Sequence, residues 1–300
     1  AARNFWVHVA GHGAWSATGN SARQIAQHFV AEDAEQVELR AGFLWQQVTR
    51  RNLALGLEAE ITSFVPSGED LPPEASSVEL MRVVLANVGS APLTLTPTAA
   101  VPIFGRSADR ARDHRHVTSL LHRIATHPYG VVVRPTLTFD ERGHRFNTVT
   151  YAVLGAEGDG TAPVAVFPTL ETFVGPGGSL DWPQAVVEPG LTGRAAGRRL
   201  AGYEAMGGLR FGRITLDPGQ RCAYVLALGI LDDDKDPEAM MARYGDDARF
   251  EAWLTRTKTH WDQKLASLQV DLGEARFNGW MKWVTLQPVL RRICGNSFLP

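Results

Sequence analysis

Alternating and β-branched segments, cut at short intervals by Gly, Pro and Asn, run from the amino terminus to about residue 235. That is the signature of strands joined by turns. Residues 78–87 (VELMRVVLAN) read as a strand, 88–92 (VGSAP) as a connection, and 93–98 (LTLTPT) as a returning strand with Leu93 and Leu95 on one face. The turn chemistry predicts a hairpin. The same grammar recurs at 214–220, where Pro218 and Gly219 lead into 222–230 (CAYVLALGI). That segment is apolar on both faces, as a strand held between two layers should be. Further strands are expected over 38–49, 57–65, 130–138, 149–154 and 164–168. So many strands exceed one open sheet and predict two large packed sheets.

Two stretches break the alternation, 105–127 and the glycine-dense 155–208. Irregular segments of that length inside a compact domain usually carry function, and the Arg and aromatic content of both argues for order. At Asp236, Pro237 and Glu238 the period changes: these residues supply a helix cap, a proline at the first helical position and a negative charge at the positive end of the dipole. Phe250, Trp253, Leu254, Thr257, Trp261, Leu265 and Leu268 then recur at spacings of three and four, forming one amphipathic face. A last helix is expected over 274–294, with Gly295 as its C-cap and Pro288 as a kink or break. The pattern therefore predicts a mainly β chain, a large two-sheet β-sandwich over residues 1–235 followed by C-terminal linker helices over 236–300. Four of the eight tryptophans fall in the last sixty residues. Two helices cannot bury that much aromatic surface against each other, so they are expected to pack on the sandwich and on a neighbour outside this chain.

Composition narrows the class. Of 300 residues, 44% are hydrophobic and 21% charged, which excludes a disordered chain. Thirty basic residues against 32 acidic ones exclude a protein that holds nucleic acid by bulk positive charge. The longest apolar run, Cys222 to Leu231, contains Gly229 and is about half a bilayer span. No basic start or apolar leader opens the sequence, so a cytoplasmic protein without membrane contact is expected, with Cys222 and Cys294 as free thiols.

The densest polar constellation is Arg106, Asp109, Arg110, Arg112, Asp113, His114, Arg115 and His116, followed by His122, Arg123 and His127. His114 and His116, two apart, point the same way on an extended segment, as two ligands of one metal would. Asp109, Asp113 and His122 follow no known metal spacing as further donors, and no metal is expected. The alternatives are a solvated loop, or a surface that meets sugar hydroxyls, phosphate or another domain through planar, charge-assisted hydrogen bonds. On the second reading Arg106, Arg112, His114, Arg115 and His116 are the candidate substrate-binding residues. Gly155 to Gly160 matches neither the phosphate-loop nor the dinucleotide fingerprint and reads as a turn. There is no Gly-x-Ser-x-Gly elbow and no Cys-x-x-Cys. Asp181 beside Trp182, Glu171 near Phe173 and Glu204 beside Tyr203 are acid–aromatic pairings a sugar site could use; each reads first as a satisfied loop residue. No catalytic residue and no cofactor is assigned.

Residues 277–300 (FNGWMKWVTLQPVLRRICGNSFLP) closely resemble the entry segment of the catalytic barrel in glycoside hydrolase family ninety-four, the inverting β-glucoside and β-glucan phosphorylases once filed as glycosyltransferase family thirty-six. Residues 105–123 (GRSADRARDHRHVTSLLHR) and 138–147 (TFDERGHRFN) resemble the amino-terminal region of the branch acting on β-1,2-linked glucooligosaccharides. The resemblance spans nearly the whole chain. It implies a β-supersandwich, linker helices, then an α/α-barrel that carries the general acid and most phosphate ligands and is absent here. It also implies a homodimer in which a sandwich loop walls the partner's cleft, with 106–127 in that position, inorganic phosphate as co-substrate and a β-linked glucooligosaccharide as substrate. Two rival readings stay beside it: a stand-alone carbohydrate-binding sandwich using Trp182 or Tyr203, and a purely structural dimerisation unit.

Overall fold

The computed structural model describes residues 3–28, 35–68, 77–104, 119–140, 143–232, 236–293 and 297–298. Along the chain come β1 (Asn4–Val9), β2 (Gly13–Ser16), α1 (Ala22–His28), β3 (Glu35–Gly42), β4 (Trp45–Asn52), β5 (Leu57–Phe64), β6 (Val78–Asn87) and β7 (Leu93–Ile103). Next are β8 (His122–His127), β9 (Gly130–Pro135), β10 (Leu137–Asp140), β11 (Gly143–Phe146), β12 (Val149–Glu157), β13 (Ala165–Thr169), α2 (Leu170–Val174) and α3 (Gln184–Val187). The chain continues through β14 (Arg199–Ala201), β15 (Ala205–Arg210), β16 (Ile214–Leu216), β17 (Arg221–Asp232), α4 (Pro237–Tyr244), α5 (Asp247–Ala266), α6 (Ala275–Leu290) and the short pair β18 (Arg292–Ile293) and β19 (Ser297–Phe298).

Two antiparallel sheets dominate. One has six strands in the order β13-β15-β7-β1-β2, with β16 also on β7; the other has nine, β14-β8-β9-β12-β17-β6-β5-β4-β3. Their facing sides enclose the main core, where Phe5, Val7, Leu95 and Leu209 meet Leu85, Val131, Val153 and Leu226. Phe5, Phe211 and Tyr224 form an aromatic cluster there, with centroids 4.8 Å apart for Phe211–Tyr224 and 5.4 Å for Phe5–Tyr224. Strand β17 is apolar on both faces for the reason its sequence suggested. Tyr224 and Leu226 enter the main core, while Val225 and Ala227 lie under Met240, Met241, Phe250 and Leu254 of α4 and α5. The outer face of the six-stranded sheet is closed in turn by Phe173, Ala185 and Val186 of α2 and α3 on Trp6, Phe167 and Met206.

The expected hairpin at 78–98 does not form: β6 and β7 belong to different sheets. Both sides of β6 are taken, by β5 and β17, so β7 has no vacant edge there. The buried Asn87 fixes the crossing. Its amide nitrogen donates to the carbonyls of Ala91 and Leu216, both at 2.8 Å, and its Oδ1 accepts from Gly89 N at 3.0 Å. Beside it the backbones of Gly56 and Gly89 touch: Gly56 has φ +66°, and a Cβ there would lie 2.7 Å from Gly89 Cα.

The single strand expected over 38–49 is two, β3 and β4, turning at Phe43–Leu44. The irregular stretch 155–208 contains the end of β12 as well as β13, α2, α3, β14 and the start of β15. The helix starts agree with the sequence. Asp236 caps α4 by accepting from Glu238 N at 2.9 Å, and Pro237 is its first residue. Helix α5 buries Phe250, Leu254, Thr257, Trp261 and Leu265. Arg82 of β6 ties its start down, donating to Asp247 at 3.0 Å and Glu251 at 2.8 Å with its guanidinium 4.9 Å from the Phe250 ring centre. Helix α6 runs through Pro288 without the expected break and ends at Leu290, where Arg291 N still donates to Gln287 O; Gly295 lies outside the described residues.

Candidate functional site

All five sequence-proposed substrate residues, Arg106, Arg112, His114, Arg115 and His116, lie outside the described residues. What the structure places is the base from which their segment leaves and returns. Phe104, at the end of β7, and Ser119, just before β8, line one notch together with Pro102, Ile103, His122, Leu170, Leu180, Glu204 and Ala205. Five segments therefore converge at one end of the sandwich: the two roots of 105–118, the turn into α2, the loop at Leu180 and the 203–205 corner. Between these residues lies about 10 Å³ of free space, room for roughly one water molecule and far too little for a sugar ring.

Local chemistry holds the notch together. His122 is buried, and its Nδ1 donates to the carbonyl of Tyr203 at 3.2 Å; a carbonyl can only accept, so this nitrogen carries the proton. The carbonyl of Glu204 accepts from Leu170 N at 2.9 Å, seating the first residue of α2 against the 203–205 corner. Thr169 caps that helix through Thr172 N. Arg123 donates to the carbonyls of Leu120 at 3.3 Å and His122 at 3.1 Å. His122 and His127, five apart on β8, face opposite sides of the strand, so they cannot share an ion. Among the described residues no three His, Cys, Asp or Glu side chains converge as a metal site.

The acid–aromatic pairs divide. Leu180 and Glu204 line the notch, so the segments carrying Asp181–Trp182 and Tyr203–Glu204 flank it, and Trp182 and Tyr203 are 46% and 44% exposed. Asp181 accepts from Ser179 Oγ within its own turn, while its carbonyl takes Ala22 N at 2.8 Å. Glu171 sits on α2 beside the fully buried Phe173, whose ring is core and offers no face to a ligand.

Two supports were not legible in the sequence. Arg210, buried on β15, donates to the carbonyls of Leu191 at 2.5 Å and of Ala185, and stacks 4.8 Å from the Phe167 ring centre. Desolvation pushes its pKa down. It clamps the 184–191 segment that follows Trp182. At the opposite side of the main core Glu35 gathers Trp15 Nε1 at 2.6 Å, Arg50 at 2.6 Å, Gln24 Nε2 at 2.8 Å and Asn52 at 3.2 Å. Neither cluster contains a spacing that a motif would record, because its members come from separate elements. Cys222 is a free, part-buried thiol whose pKa burial raises; Cys294 lies outside the described residues. No helix among the described residues is long and apolar enough to cross a membrane.

Comparison with known proteins returns one family model, described as glycosyl hydrolase 94, supersandwich domain, over residues 10–247. No curated protein sequence matches the chain significantly. Similar solved structures include a polysaccharide lyase, 11% identical with TM-score 0.37 over 77% of this chain and 25% of its own. Another is a GH36 α-galactosidase, AgaA, from Geobacillus stearothermophilus in complex with 1-deoxygalactonojirimycin, 10% identical with TM-score 0.29 over 76% of this chain and 30% of its own. Likeness at that level supports no argument about activity. The chain thus spans about a quarter to a third of the solved chains it matches.

Proposed function

The chain belongs to the glycosyl hydrolase 94 family through its supersandwich domain, and from that premise we propose that it is the sandwich and linker portion of an inverting phosphorylase acting on β-linked glucooligosaccharides, with β-1,2-linked chains as first choice. In the complete reaction a carboxylic acid located outside this chain protonates the leaving sugar oxygen. The bond from the anomeric carbon to that oxygen breaks as inorganic phosphate attacks the opposite face, giving α-glucose 1-phosphate. Phosphate takes the place of the base-activated water of an inverting hydrolase, so one carboxylic acid suffices.

The observation that carries this reading is the notch. It gathers both roots of the Arg- and His-rich segment at one end of a rigid sandwich, yet holds space for about one water. Such an end can wall a cleft completed by other chain; it cannot enclose a sugar alone. Residues 236–300 then serve as the linker toward the barrel. The stand-alone sugar-binding reading draws on the exposed Trp182 and Tyr203, because aromatic faces are the usual platforms for sugar rings.

The test is the product of the enzyme that includes the sequence beyond Pro300, incubated with phosphate and β-1,2-glucooligosaccharides. Proton and phosphorus NMR should show α-glucose 1-phosphate as the first product. Free glucose without phosphate incorporation, or the β-anomer, would contradict the assignment.

A further inference from the structure

The tip of the β3–β4 hairpin is irregular in two ways. A two-residue turn between antiparallel strands favours Asn, Asp or Gly, because its residues take positive φ. Here Phe43 and Leu44 form it between the paired Gly42 and Trp45, and Leu44 has φ +61°. Among the described residues it is the one non-glycine with positive φ. The Cβ of an L-residue crowds the following carbonyl oxygen in that conformation. An outlier of this kind persists where its surroundings over-determine it, and such places tend to carry function. The second irregularity is chemical: turns are ordinarily built from Gly, Asn, Asp, Ser and Pro, and this one runs Phe-Leu-Trp.

Those three residues reach both C-terminal helices. Trp45 folds back over Gly42, so closely that a Cβ on Gly42 would collide with the indole. Lys258 of α5 places its Nζ 4.1 Å from the centre of the Trp45 ring. Phe43 and Leu44 pack on the cluster of Trp261 and Leu265 from α5 and Leu286 from α6. Phe43 also meets Trp283 of α6, with ring centres 5.1 Å apart and planes at 49°. Trp283 and Leu286, three apart, share one face of that helix, and Leu286 is its only buried residue. Farther toward its start α6 stands off from α5 across a cleft lined by Asp262, Ala266, Asn278, Met281 and Lys282. There Asn278 Oδ1 accepts from Leu272 N at 2.8 Å and its Nδ2 donates to Asp271 at 3.0 Å. Those bonds tie α6 to its own connection and not to the sandwich.

We infer that this tip is a positioning device, a peg built on the nine-stranded sheet that sets the course of α6 relative to the sandwich. Two independent observations meet in it. Packing puts the one buried residue of α6 at the tip, and backbone geometry shows a large apolar side chain kept where glycine would be unstrained. A turn needed only to join β3 to β4 gains nothing from Leu44. A turn that must hold α6 does, because the side chain fills the contact between the two helices. By fixing α6 the peg also fixes where the exposed Phe277, Trp280 and Val284 stand relative to the two sheets. The inference rests on the packing of described residues and does not depend on phosphorolysis.

Hydrogen exchange read by mass spectrometry on the 300-residue chain tests it. Leu44→Gly separates the two roles of the tip, since glycine accepts positive φ without strain and lacks the side chain that packs on α6. Amides over 281–290 should exchange about tenfold faster or more, as in a segment that opens locally, while those of β5, β6 and β17 keep parental rates. Phe43→Ala should act in the same direction. Phe43→Tyr, which keeps a ring against Trp283, should retain parental exchange in α6. An α6 already unprotected in the parent, parental rates over 281–290 in Leu44→Gly and Phe43→Ala, or an equal acceleration in the sheet strands would each overturn the inference. The last outcome would make the tip a support of the whole fold and not of α6.

Discussion

Helices α5 and α6 are both rich in aromatic residues and end up in opposite circumstances. Helix α5 repeats its apolar residues at helical spacing and buries that stripe, Phe250 and Leu254 on β6 and β17, Trp261 and Leu265 against Leu286 and the β3–β4 turn. Helix α6 is apolar around most of its circumference, yet only Leu286 is buried in it. Leu286 packs with Trp261, Leu265, Phe43 and Leu44, and Trp283 lies 5.1 Å from the Phe43 ring. A cleft of about 520 Å³ opens between the two helices. Trp280 is 59% exposed, and Phe277, Trp283 and Val284 are exposed beside it. Hydrophobic content alone therefore does not tell whether a helix stabilises its own chain. The period of the pattern does: a stripe has an inner and an outer side, whereas an apolar cylinder needs neighbours all round.

The contrast breaks most visibly in stability. Phe250→Ala should cost about 3–5 kcal/mol, the loss expected for a fully buried aromatic, read as a shifted denaturant midpoint. Trp280→Ala should fall within about 0.5 kcal/mol. Equal losses would mean that α6 is as much a part of the fold as α5. A smaller but still large effect is expected inside the closed region at Asn87. Its replacement by Ala removes three hydrogen bonds at the crossing between sheets and leaves two carbonyls without their partner, at about 2–3 kcal/mol. An unchanged midpoint would show that the crossing does not depend on that side chain.

The smallest effect concerns pH. Burial, with Arg213 and Arg210 nearby, holds the His8 imidazole below its ordinary value of 6.5. As pH falls, the unfolded chain binds this proton before the folded one does. The contribution to stability is therefore complete above about 6.5 and is lost as pH drops toward the folded-state value. His8→Gln should flatten the acid side of the stability curve in that window; an identical slope would remove His8 as its source.

Much of this was written locally. Strand β6 over 78–87, strand β5 from residue 57, the Asp236–Pro237 helix start and the buried face of α5 all followed from period and capping chemistry. Sheet membership did not. A Gly- and Pro-bearing connection looks alike whether it folds a strand back or carries it to the facing sheet, and the deciding fact, that both edges of β6 are occupied, is non-local. The β3–β4 turn was invisible for a different reason. Its residues, Phe43 and Leu44, are apolar because they plug the α5–α6 contact, so Leu44 takes φ +61° where Gly or Asn would have signalled a turn. At the candidate site the Arg- and His-rich segment stood out by composition. The notch at its base did not, since Phe104, Ser119, Leu170, Leu180 and Glu204 are scattered along the sequence and meet only when both sheets are assembled.

On the proposed function this chain builds one side of a phosphorylase cleft and carries no reacting acid of its own. Phosphate release from α-glucose 1-phosphate, with a β-glucooligosaccharide as acceptor, measures that directly in two parallel reactions. The account expects none from the 300-residue chain and steady turnover from the protein that continues past Pro300. Turnover by the short chain, or silence from the longer protein, would contradict it.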